Sequence, residues 1–198
     1  MINAFGEAIV AVGAVVADVE PSSELAQLLV IGILGAVALW WAYFDRMEEL
    51  WEGAMARATG QETGRIARDV YSILHFPMIA GVVLYAVSAE EIFLHPNDPI
   101  AGMVRVTLGL SLLLFLLPIV AATWRTVQSF QWERAIAAVT IAAIVFGSGE
   151  MGAKTVLLVT TVLLLGAMTI EYFRYRPVLA AKAAASRSAS SGSHDERK

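Results

Sequence analysis

Along this chain the apolar positions gather into long runs separated by short charged connections. A helix rising 1.5 Å per residue needs about 20 predominantly apolar residues to cross roughly 30 Å of hydrocarbon. Six stretches are candidates. Leu25 to Phe44 (LAQLLVIGILGAVALWWAYF) carries only Gln27 as a strongly polar residue, and Val70 to Ala89 (VYSILHFPMIAGVVLYAVSA) is interrupted by His75. Ile100 to Thr123 is the most apolar, with Arg105 near one end and Pro118, a predicted kink, near the other. Gln128 to Gly147 and Met151 to Phe173 are separated only by Ser148, Gly149 and Glu150, which reads as a tight helical hairpin. Ile2 to Ala17 is the weakest candidate, being short and holding Glu7, and it reads as a helix whose beginning is missing or very short. The pattern therefore predicts an all-α polytopic transmembrane bundle of about six spans over residues 1–176. After Pro177 the chain turns to Ala, Ser, Lys and Arg, with almost nothing to bury, so 177–198 reads as a disordered cytoplasmic tail in which His194 is solvated.

The positive charges orient the bundle, because short cytoplasmic loops retain Lys and Arg. Arg46, Arg57, Arg65 and Arg68 follow the second span, Arg125 and Arg134 follow the fourth, and six more lie from Arg174 to Lys198, so twelve of the fourteen cations share one side. Acids dominate the other side, with Asp18, Glu20, Glu24, Glu90, Glu91, Asp98 and Glu150 against Arg105 and Lys154. Six spans with both termini in the cytoplasm fit this alternation. Trp40, Trp41, Tyr43, Trp124 and Trp132 collect at the same inner interface, where amphipathic rings prefer to lie. A signal peptide is disfavoured for the first segment, which lacks a positive n-region and has an acid in its apolar stretch.

Composition removes several classes of function. At 58% apolar and 16% charged residues the chain departs from soluble norms of roughly 45–50% and about 25%. Its mean hydropathy of +0.66 points the same way, so lipid must cover surface that a chain of this size cannot bury. No cysteine is present, which excludes disulfides, thiolate metal sites and thiol catalysis. A net charge of −4 gives no footprint for nucleic acid. No phosphate loop, zincin helix, hydrolase elbow or dinucleotide fingerprint occurs, and GSGE at Gly147 to Glu150 is a loop tetrapeptide. No cofactor is expected, and an enzyme is unsupported.

In a membrane segment the informative residues are those that lipid penalises, and they must face a neighbour or water. Glu7 lies about one turn into the first span, Asp45 and Arg46 close the second, and His75 lies roughly 13 Å beyond Ile66 at 1.5 Å per residue. Tyr71 stands four residues before His75 on the same helix face, next to Ser72. Two readings fit. In one, Glu7, Tyr43, Asp45, Tyr71 and His75 form an inner-leaflet proton or ion site; in the other, His75 is a neutral packing residue and Asp45 pairs with Arg46 at the headgroups. On the outer side, Glu90, Glu91, His95 and Asp98 surround the turn HPNDP, which reads as a solvated loop without diagnostic metal spacing, and Arg105 is expected to snorkel to Glu90 and Glu91. Ala138 with Ala142 and Ala143 with Gly147 allow close helix contact without identifying a partner.

Three segments together bring a family into view: GEAIVAVG at Gly6 to Gly13, WWAYFD at Trp40 to Asp45, and YSILHFPMIAGVVLYAVSAEEIFLHP at Tyr71 to Pro96. In order and spacing they resemble the C-terminal half of the bacterial low temperature requirement A (LtrA) membrane proteins. The matching positions are Glu7, Trp40, Trp41, Tyr43, Asp45, His75, Pro77, Gly81, Glu90, His95 and Pro96. The resemblance implies a multi-pass protein of the bacterial cytoplasmic membrane, named from a requirement for growth in the cold, with no established molecular activity. Family members are usually about twice as long, which implies a homodimer or a missing N-terminal half. Three functional classes follow: a proton- or ion-coupled transporter-like element, a structural or sensory protein of cold or membrane stress, and, least favoured, an intramembrane enzyme acting on lipid.

Overall fold

In a computed structural model of the protein, the backbone is described for all residues except 18, 19, 46 and 196–198, and side chains for 1–174 apart from 8, 11, 12, 15–19, 46, 48 and 49. The described residues form helices α1 (Ile2–Ala17), α2 (Ser23–Phe44), α3 (Met47–Arg57), α4 (Gln61–Arg68), α5 (His75–Leu94), α6 (Gly102–Val127), α7 (Trp132–Gly147) and α8 (Ala153–Asp195), with a π-helical turn at Asp69–Ile73. They contain no strand, only an isolated bridge between Pro99 and Gly152. Among the described residues, four helical stretches are long and apolar enough to cross a membrane: Ser23–Phe44, Gln61–Leu94, Gly102–Val127 and Ala153–Arg174. Helices α1 and α7 have 16 residues each. They rise only about 24 Å, less than the roughly 30 Å of a hydrocarbon core. Four of the six expected spans thus have spanning length.

Local chemistry explains where boundaries depart from the sequence pattern. Helix α2 begins at Ser23 because the Ser22 hydroxyl accepts the Leu25 N–H at 3.0 Å, relieving an orphan donor of the first turn. The third apolar stretch belongs to a continuous helical rod from Gln61 to Leu94, not a span starting at Val70. Its far end also passes Ala89, so Glu90 and Glu91 lie in the last turn of α5 rather than in a loop. Gln128 closes α6 in the left-handed region (φ 53°), donating its N–H to the Trp124 carbonyl at 3.0 Å, so the next helix starts at Trp132 rather than Gln128. The backbone of α8 continues to Asp195 through the segment to which composition assigned no fold. Its abundant alanine is the best helix former.

Small residues set the closest helix crossings. A Cβ at Gly81 of α5 would lie 2.7 Å from the Ser111 carbonyl oxygen and 2.8 Å from the Phe115 nitrogen, so α5 and α6 meet backbone to backbone there. Tyr85, buried on α5, places its hydroxyl over Gly35 of α2 and donates to the Gly32 carbonyl at 3.1 Å. Phe5 of α1 inserts between Phe44 and Phe115, with ring centroids 6.4 and 6.0 Å away.

One end of the bundle, here the Lys154 end, is closed by backbone pairing. Ala153 and Lys154, at the start of α8, donate their N–H groups to the carbonyls of Asp98 and Pro96, each at 2.9 Å. The connection after α5 thereby satisfies orphan donors of the α8 N-terminus. Glu24 joins the same end through Asn97 at 3.0 Å and Lys154 at 3.4 Å.

Candidate functional site

The opposite end, the Arg134 end, gathers the costly polar groups. Its cover is α3, in which Met47, Trp51 and Ala54 recur at helical spacing and are buried. Their alternation with charged residues makes an amphipathic helix whose apolar stripe faces the bundle. Beneath it, Pro77 sits in the first turn of α5 and cannot donate a backbone hydrogen bond. The preceding turn absorbs this by widening into the π segment, where Leu74 donates to the Asp69 carbonyl five residues back at 3.0 Å. That widening sets the azimuth of Tyr71 and His75 relative to the rest of the rod.

Four rings then close on one another. Tyr43 meets Trp51 at 5.6 Å and His75 at 5.7 Å, both edge to face, and Tyr71 meets Trp51 at 6.2 Å and His75 at 6.4 Å. The separations lie within the range in which aromatic pairs attract beyond simple area burial. Trp51 is fully buried, Tyr43 is buried, and Tyr71 reaches the surface. Within this ring of rings the indole Nε1 of Trp51 and the Nδ1 of His75 are buried without a hydrogen-bond partner, as is the Gln131 Oε1 nearby. Unpaired buried polar atoms of this kind cost about 1–3 kcal/mol each, so these three are among the costly polar positions of the bundle. A recess of about 280 Å³ lined by Met1, Ile2, Asn3, Tyr43 and Phe44 brings the surface to one side of this cluster.

Two ionic clamps hold the cluster in place. Arg134 of α7 makes a two-pronged pair with Glu171 of α8 at 2.9, 3.0 and 3.1 Å, with side chains only 1% and 6% exposed. Its remaining arm donates to the Ala42 carbonyl of α2 at 2.8 Å. Ala42 lies in the last turn of α2, where carbonyls lack in-helix partners and cations are favoured. The guanidinium therefore ties three helices together one residue before Tyr43. Arg125 of α6 forms the second clamp, reaching Glu62 of α4 at 2.8 Å and Asp69 of the π turn at 3.1 Å. Between the clamps, the Met47 sulfur accepts from the Thr123 hydroxyl at 3.3 Å and from Gln131 Nε2 at 3.8 Å.

Of the residues singled out in the sequence, Tyr43, Tyr71 and His75 converge. Asp45 stands two residues beyond Tyr43 as the C-cap of α2, half-buried, its N–H donated to the Trp41 carbonyl at 3.0 Å. Glu7 does not join them. It lies 200° around α1 from the inward-facing Phe5 at 100° per residue, and is exposed. Arg46, the expected companion of Asp45 at the headgroups, lies outside the described residues. Trp40 and Trp124 are about half exposed and Trp132 more so, its ring tilted against Phe130 at 4.3 Å, whereas Trp41 packs on Tyr172 at 5.9 Å. At the Lys154 end, His95 approaches Glu91 at 3.9 Å and Asp98 at 3.7 Å, all three well exposed. Arg105 packs its guanidinium against Gly149 and forms no ion pair with Glu90 or Glu91 among the described residues. It follows the α7–α8 turn instead, which leaves no side chain at Gly149 to displace it. No group of three or more His, Asp or Glu side chains able to hold a metal occurs among the described residues.

Trp51, Glu171 and the pairing role of Arg134 were not singled out by sequence reasoning. Two signals pointed to them. Met47, Leu50, Trp51 and Ala54 keep an amphipathic i, i+3, i+4, i+7 period in what reads as a loop, and Glu171 is an acid inside an apolar span.

The family model described as bacterial low temperature requirement A protein (LtrA) matches residues 1–184. No curated protein and no solved structure matches the chain.

Proposed function

The chain belongs to the bacterial low temperature requirement A family of membrane proteins, and from that premise we propose that it is a multi-pass protein of the cytoplasmic membrane in which His75 serves as a proton- or ion-handling group. The reading takes six spans, with α1 and α7 as short crossings and the Arg134 end in the cytoplasm, as supported by the one-sided Lys and Arg distribution. The exposed Trp40, Trp124 and Trp132 then lie at the inner interface. The observation that carries the function is the pair of buried, unpartnered nitrogens of Trp51 and His75 in a four-ring cluster beside a π turn. Imidazole is the side chain whose charge changes near neutral pH, and π turns are concentrated at functional sites. The acidic partner in this reading is Asp45, without Glu7. A gained or lost proton at His75 alters its packing on Tyr43 and Tyr71, and so the helix junction that Arg125 ties to α4 and α6.

The test is reconstitution into proteoliposomes. The wild-type protein is expected to carry a pH-dependent proton or ion flux that His75→Ala reduces at least tenfold and Asp45→Asn weakens. A flux that is unchanged in His75→Ala removes the coupling role. Absence of any flux in the wild-type protein favours a sensory or structural function under cold or membrane stress, which the two rigid clamps at the Arg134 end also support.

A further inference from the structure

A groove of about 550 Å³ runs between α7 and α8 on the outer surface of the bundle. Its walls are apolar along most of their length, and its charged residues, Glu133, Arg134, Glu171 and Arg174, all stand at one end. Three observations select an occupant. The first is depth: at 1.5 Å per residue the groove extends about 12 Å along α7, from Glu133 to Ile141, and about 18 Å along α8, from Arg174 to Val162, close to the roughly 15 Å of one leaflet. It ends near the middle of the Ala153–Arg174 span, whereas a partner helix would call for a seam along the whole crossing. The second is shape. Gly166 leaves the groove open, because a Cβ there would meet nothing within 4 Å, and Ile136, Val162 and Ile170, each more than half exposed, stand along its walls. The third is the mouth, where Arg174 pairs with Glu133 while its side chain stays 64% exposed, so the guanidinium can still meet an incoming anion.

We infer that this groove holds one acyl chain of a membrane phospholipid from the leaflet at the Arg134 end, with the phosphate held at Arg174. Apolar walls one leaflet deep with a single polar end match an amphiphile that enters from the headgroup layer. Neither a second copy of the chain nor a polar solute has that profile. The site does not depend on the role of His75, since its lining comes from α7 and α8 alone. The Arg134–Glu171 pair also belongs to its lining, at the charged end.

The experiment is native mass spectrometry of the full chain extracted from membranes in mild detergent, with delipidated protein re-exposed to phosphatidylethanolamine and phosphatidylglycerol as probes. The expected result is one retained phospholipid per chain, lost in Gly166→Leu and kept in Gly147→Leu, where a Cβ is equally unopposed but lies outside the groove. Arg174→Gln is expected to weaken retention at least fivefold while the protein stays folded. A wild-type protein that retains no phospholipid overturns the proposal without any variant. So does a lipid that survives in Gly166→Leu, or a dimer that this substitution splits.

Discussion

Arg134→Met is expected to destabilise the bundle by about 3–5 kcal/mol, the usual consequence of removing one partner from a buried ion pair. The Glu171 carboxylate, 6% exposed, then loses the guanidinium, and the Ala42 carbonyl loses the donor that closes the end of α2. The deletion alone does not measure what the pair contributes, because burying two charges is itself costly. The double variant Arg134→Met, Glu171→Met is therefore expected to recover most of the loss, leaving a deficit of about 1 kcal/mol for the orphaned carbonyl. Unfolding in mixed micelles, followed by circular dichroism, reads both. Equal losses in the single and double variants would show that Arg134 acts only through Ala42.

Gly81→Val is expected to separate α5 from α6. The added atoms meet main chain at Ser111 and Phe115, which cannot rotate away as a side chain could, so an overpacking cost of about 3 kcal/mol follows. Gly166→Ala is the matched control, since a Cβ there meets nothing within 4 Å and alanine gains up to about 1 kcal/mol over glycine in a helix. The same unfolding assay is expected to give opposite signs for the two. A neutral Gly81→Val would mean that the helices do not cross at this point.

Hydropathy made the apolar helices legible because lipid demands long uninterrupted runs, and charge bias made two faces of the chain distinguishable. Helix ends were less legible. Gln128 stops α6 through a left-handed backbone that no apolar count reveals, and the rod from Gln61 passes through Arg65, Arg68 and Asp69 with those charges paired, Arg65 to Glu62, Arg68 to Asp69, and Asp69 also to Arg125 of α6. At the candidate site, the i, i+4 spacing of Tyr71 and His75 correctly placed both on one face, and Tyr43 came from a different helix to meet them. Glu7 shows the limit of depth arguments, since two acids at similar depth face a common centre only if their helices are rotated to suit. Phe5 fixes the rotation of α1 and turns Glu7 away. Trp51 escaped notice because α3 is too short and too charged to look like part of the bundle, although it supplies the most deeply buried ring of the cluster.

If the unpaired nitrogens of His75 and Trp51 belong to one site that responds to protons, the two residues report the same titration. Nitrogen-15 NMR of the protein in nanodiscs, with His95→Gln and His194→Gln leaving His75 as the sole histidine, tests it directly. The expected result is that the His75 ring signals move with pH and that the Trp51 indole N–H signal moves with the same midpoint. A His75 that keeps one protonation state over the range in which the bundle stays folded, with an unmoved Trp51 signal, would contradict it and leave the four rings as packing alone.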